Sequence, residues 1–164
     1  MLNYKEARLR YKPSTVKTLF IGESPPAKGD YFYFGGGNIL LEYIRQAFVS
    51  VYGDKCGNGD DFLQFFKEKG YYLIDLSEEP INGKLEKERR QLRRDNVGSL
   101  AKRVAKLNPE SVIIIMKAIE REVRAALPSN IHEKNIRVTR FPGFGNQMIS
   151  IQQISCALHE LRNV

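Results

Sequence analysis

The sequence predicts an α/β protein of three layers, α/β/α, with helices on both faces of a central, mainly parallel four-stranded sheet. Three observations carry that expectation. Short apolar runs recur at residues 18–21, 71–76 and 111–116, followed by the strand-like Ile-Arg-Val-Thr-Arg-Phe at 136–141, with the length and composition of strands. Between them lie stretches whose apolar residues repeat at helical spacing, so the strands must return in parallel through crossovers. The run at 111–116, Ser-Val-Ile-Ile-Ile-Met, is apolar on both alternating faces, as a strand covered from above and below must be.

Taken in order, residues 1–17 form a polar, basic lead-in. Residues 6–10 can make a short helix, and Pro13 punctuates the segment. The first strand, 18–21, ends at Gly22 and empties into Glu23-Ser24-Pro25-Pro26 and then the aromatics Tyr31, Phe32, Tyr33 and Phe34. Gly35-Gly36-Gly37 permits tight turns, and Asn38 is an N-cap for a helix whose inner face is Ile39, Leu40, Tyr43, Ile44, Ala47 and Phe48. Asp60-Asp61 opens a second helix, with Phe62, Leu63, Phe65 and Phe66 inward and Gly70 closing it. Strand 71–76 follows. Residues 84–107 are helical in composition, with a break expected near 96–99, where Gly98 costs about 1 kcal/mol relative to alanine. Strand 111–116, a helix over 117–127, strand 136–141 and a final amphipathic helix over 149–161 complete the chain.

A chain of 164 residues is expected to be one domain with a full core. Its 42% hydrophobic and 27% charged residues are those of a globular protein. No apolar run approaches the ~20 residues that span a bilayer, and the N-terminus has no signal-peptide core. An intracellular, cytoplasmic protein with no membrane partner is expected. Cys56 and Cys156 are isolated from each other and from any ligand-like spacing, so neither a metal site nor a cofactor is expected. The net charge of +7 is the sign expected of a protein that meets phosphate backbones. It concentrates in residues 84–107, where nine basic residues face three acidic ones.

Ligands of parallel α/β sheets gather at the carboxyl ends of the strands, so the loops after the four strands hold the candidate site. The loop after strand one combines a carboxylate, a hydroxyl, two prolines and aromatic plates, as a site for a flat ligand would.

Four features, in this order, resemble the uracil-DNA glycosylase superfamily. They are Gly-Glu-Ser-Pro-Pro at 22–26, the aromatics that follow, the strand 71–76 with its Ile-Asp-Leu-Ser, and Arg-Phe-Pro-Gly-Phe-Gly-Asn at 140–146. The resemblance spans residues 18–160 and implies a DNA-binding protein that accommodates a flipped base and hydrolyses the N-glycosidic bond of a damaged or deaminated base. It assigns Glu23 and Ser24 to catalysis, and Pro25, Tyr31, Phe32, Asp75, Phe141, Gly143 and Asn146 to the base pocket. Phe32 is the stacking plate, with Tyr31 and Phe34 as alternatives. Lys28, Arg89, Arg90, Arg93, Arg94 and Arg140 are assigned to the nucleic-acid backbone.

The departures are chemical. Ser24 stands where the family's best-known branch has an aspartate, and a serine is a weaker water activator. Asp75 stands where an asparagine reads the base edge. An ionised aspartate only accepts hydrogen bonds, which suits an amino-bearing base better than uracil. Phe141 replaces a histidine and cannot donate to a departing base, a role left to Arg140, Asn146 or Gln147. His132 and His159 fall elsewhere, and the four-cysteine cluster of the Gly-Glu-x-Pro branch is absent. A nucleic-acid- or nucleotide-binding module without the chemistry is therefore the alternative, and an unrelated small-molecule enzyme on the same architecture is a third.

Overall fold

In the computed structural model, which describes residues 3–162, the four expected strand segments form one all-parallel sheet. They are β1 (Thr18–Gly22), β2 (Tyr71–Asp75), β3 (Ser111–Ile114) and β4 (Ile136–Val138), in spatial order β2-β1-β3-β4. β1, β2 and β3 are buried along their whole length. The helices are α1 (Tyr4–Arg10), α2 (Ile39–Tyr52), α3 (Gly59–Glu68), α4 (Glu86–Asp95), α5 (Val97–Leu107), α6 (Glu120–Ala126) and α7 (Gln147–Arg162). α2 packs on α7 and α5 on α6, and the protein is a three-layer α/β/α fold.

Local chemistry places most boundaries. The Asn38 side chain accepts from the Leu41 N–H at 2.8 Å and starts α2. The break in the basic helical stretch falls at Asn96, whose side-chain amide donates to the Leu92 carbonyl at 2.8 Å; Gly98 continues inside α5. One edge of the sheet is covered by Tyr33. Its hydroxyl donates to the Leu73 carbonyl (2.8 Å) and accepts from the Leu73 N–H (2.7 Å).

Two expectations are corrected. The strand expected over 136–141 stops at Val138. The Thr139 N–H still reaches the Ile114 carbonyl, but the Arg140 N–H is taken by the Gln153 side chain of α7 at 2.7 Å. Arg140 and Phe141 therefore leave the sheet and are both exposed, not on opposite faces of a strand. The last helix starts two residues early, at Gln147, because the Asn146 carbonyl accepts the Ser150 N–H.

Candidate functional site

β1 ends at Gly22 and β2 at Asp75, and these two residues are paired in register. The ladder runs on past both strands, with Leu76 N–H to the Gly22 carbonyl and Ser77 N–H to the Glu23 carbonyl. The two loops are thus held side by side. The Ser24 hydroxyl adds to this by accepting the Ile81 N–H at 3.3 Å.

Over these loops lies α1. The Tyr4 hydroxyl donates to the Pro26 carbonyl (2.7 Å), Arg8 donates to Glu78 (2.9 Å), and the Tyr4 ring meets Tyr31 edge-on at 4.8 Å. Between helix and loops is a cavity of about 510 Å³, lined by Tyr4, Arg8, Pro25, Tyr31, Asp75 and Glu78 among others. That is the size of an ordinary small-molecule site.

Asp75 is its distinctive group. The residue is only 5% exposed, yet its carboxylate has no hydrogen-bond donor among the described residues. Its Oδ1 lies so close to the backbone of Gly22 that a Cβ there would be 2.7 Å away. Only glycine at the end of β1 leaves the carboxylate this position. Burial pushes the Asp75 carboxyl up to about 7 and the nearby negative charge of Glu23 adds to this, against the opposing pull of Arg8 and Arg103. Arg103 comes from α5 and binds the backbone carbonyls of Asp75 and Leu76, both at 2.8 Å. Burial and the Asp75 charge raise the Tyr31 hydroxyl, which stays neutral.

The expected site residues separate into three groups. Pro25, Tyr31 and Asp75 line the same cavity. Phe32 does not: it is 2% exposed and packs against Tyr33 and Phe66 in the core. Its ring contacts lie in the core, whereas Tyr31, equally enclosed at 2% exposure, is one of the residues that line the cavity. Phe141, Gly143 and Asn146 lie on the loop after β4, two strand spacings or about 10 Å from β1, and do not line the cavity.

Glu23 and the basic stretch differ from expectation together. Arg89 and Arg93, expected to face phosphates, turn inward from α4 to the Glu23 carboxylate: Arg89 to Oε2 at 2.5 Å and Arg93 Nε to Oε1 at 2.6 Å. Arg93 also holds Glu86 at 3.2 Å. Glu23 is therefore fixed by two guanidinium groups and is not among the cavity residues. Arg90 pairs with Glu86. The exposed cations left without a carboxylate partner include Lys28, Lys87, Arg94, Lys102 and Arg140.

Sequence reasoning missed two features. One is the place of α1: a short helix over 6–10 was expected, but not that it forms a cavity wall. The other is Phe144, fully exposed at the tip of the loop after β4 with a positive φ of 54°. A more open hollow of about 390 Å³ lies beside Gly35, Gly36, Gly37 and Asn38, but its polar side chains are all at least partly exposed.

Fold and site together define a three-layer α/β/α protein with a carboxylate-floored cavity at the carboxyl edge of its parallel sheet. No protein-family model matches the chain, and no curated protein matches it either.

Proposed function

We propose that the protein is a glycosylase-like DNA-binding module that takes one unstacked base into the cavity between α1 and the loops after β1 and β2. The observation that carries this reading is Asp75, a buried carboxylate without a donor at the floor of a cavity walled by Tyr31 and Tyr4. The carboxylate is open to the cavity rather than enclosed, and a base edge that enters supplies it with N–H donors. Extruding a base also needs compensating stacking and backbone contacts. The half-buried Tyr4 ring offers the first, and the exposed Lys28, Lys87, Arg94, Lys102 and Arg140 offer the second. Phe144, apolar and fully exposed at the tip of the loop after β4, is the kind of side chain that wedges between bases.

Glycosidic hydrolysis is the second reading, and one observation favours it. Asp75, held near 7 inside the cavity, is suited to proton transfer at neutral pH, whereas both oxygens of Glu23 are occupied by arginines. One set of oligonucleotides tests both readings. Duplex and single-stranded DNA containing uracil, hypoxanthine or xanthine is titrated at several salt concentrations and then assayed for abasic sites. Salt-sensitive binding is expected; its absence removes the DNA reading. Abasic product that is lost in Asp75→Asn but kept in Glu23→Gln supports hydrolysis, and no product with any lesion leaves binding alone.

A further inference from the structure

The polar groups of the cavity carry more information than the presence of a base. Asp75 contributes two acceptor oxygens and, with no donor of its own, asks for two N–H groups from whatever enters. Arg8, on α1 and near enough to Asp75 to oppose its raised value, has a guanidinium with five N–H donors and is held in place by Glu78 at 2.9 Å and by the Tyr72 hydroxyl. Donors remaining on Arg8 are available to a ligand acceptor. The site thus presents an acceptor pair from Asp75 and cationic donors, Arg8 and Lys5, from α1, and the ligand edge that uses both carries two donors and an acceptor.

Among the common bases that set belongs to guanine, with N2–H, N1–H and O6 in a row. Hypoxanthine keeps N1–H and O6 but lacks the amino group. Uracil offers one N–H between two acceptors. Adenine and cytosine offer one amino group beside an acceptor nitrogen, which would face the carboxylate and repel it. Resting on the base-binding reading above, we propose that the cavity selects a guanine-type edge, with Asp75 accepting N1–H and N2–H together and Arg8 donating to O6. The walls agree with a purine: Tyr4 and Tyr31 are aromatic, and about 510 Å³ is ample for a bicyclic base.

Such selection has a pH signature. The charged and titratable groups around Asp75 are Tyr4, Lys5 and Arg8 from α1, Glu23, Tyr31 and Tyr33 from the segment after β1, Glu78 and Glu79 from the loop after β2, and Arg103 from α5. Only the ionised Asp75 accepts both N–H groups, so guanine preference weakens as Asp75 takes up its proton, from about pH 8 down to about pH 6.

The test uses the full chain and two kinds of probe. Guanosine and inosine, which differ in the 2-amino group, are titrated alone by calorimetry. Short single-stranded oligonucleotides with one central guanine, hypoxanthine, adenine or uracil are titrated by fluorescence anisotropy. Guanine is expected to bind roughly tenfold or more tightly than hypoxanthine, the scale of a good bidentate contact, and Asp75→Asn should bring the two within about a factor of two of each other. Discrimination between guanosine and inosine carries the proposal even if no oligonucleotide binds, in which case the DNA reading fails alone. Equal binding of guanine and hypoxanthine by the unaltered protein, in both formats, overturns the proposal and leaves DNA binding standing. Failure of guanosine and every oligonucleotide to bind overturns the proposal and the DNA reading together.

Discussion

Arg93 Nε lies 2.6 Å from Glu23 Oε1, and the two side chains are only 5% and 8% exposed. With Arg89 on the other carboxylate oxygen at 2.5 Å, Glu23 joins the loop after β1 to α4 and is not left to orient a water. Removing one member of such a pair strands the other charge, at a cost of about 3 kcal/mol or more. Glu23→Gln is therefore expected to lower the urea midpoint of unfolding strongly. Adding Arg93→Met should recover much of the loss, because the stranded charge goes with it. A near-neutral Glu23→Gln would mean that the pair does not hold the loop.

Asp75 makes stability depend on pH in a definite direction. Its folded value is raised to about 7, against about 4 for an unfolded aspartate. The folded protein thus favours the protonated form. That contribution is fully present below about pH 4 and is lost as pH rises through about 7. Unfolding free energies measured at about pH 5 and about pH 8 should differ by on the order of a few kcal/mol from this group alone, with the lower pH more stable. Asp75→Asn should remove that difference, and an unchanged slope would place the carboxylate in contact with water.

These two results mark where the sequence was legible and where it was not. The strand ends carrying Gly22 and Asp75 were readable because strand register is local pattern: five buried residues in each of β1 and β2 end at the same edge. The Asn38 cap and the break near Asn96 were readable for the same reason. The partners of Glu23 were not, since Arg89 and Arg93 are 66 and 70 residues away in sequence. A run of cations reads as a solvated or phosphate-facing stripe until a carboxylate from elsewhere is found opposite it. The one clue was spacing: Arg89 and Arg93, four apart, share a helix face. Phe32 and Tyr31 are adjacent and chemically similar, and which of them faced the core depended on the turn of the short 3₁₀ helix Phe32–Phe34. Tyr4 and Arg8 became cavity residues only through contacts with Pro26 and Glu78.

Gly22 offers a way to disturb the cavity without touching its chemical groups. A methyl group at this position would lie 2.7 Å from Asp75 Oδ1, so Gly22→Ala must displace the carboxylate or the end of β1. The expected cost is about 1–3 kcal/mol of stability, as for other insertions into packed sites. Base-dependent differences in binding should disappear while salt-dependent DNA binding stays. Retained base discrimination in a folded Gly22→Ala protein would place the reading group elsewhere.

The exposed cations make the last prediction. Lys87, Arg94 and Lys102 reach solvent without a carboxylate partner among the described residues, whereas Arg93 is buried against Glu23. If DNA lies along α4 and α5, each phosphate contact removed should reduce the slope of log affinity against log salt by roughly 0.7 to 0.9. Lys87→Ala with Lys102→Ala should then flatten the slope by nearly two such steps and leave the urea midpoint unchanged. Arg93→Met should do the reverse, altering stability without first changing the slope at temperatures where the protein is folded. Should the Lys87 and Lys102 double variant keep the full slope, the phosphates must instead follow Lys28 and Arg140, on the loops after β1 and β4, and charge reversal at those two positions decides it.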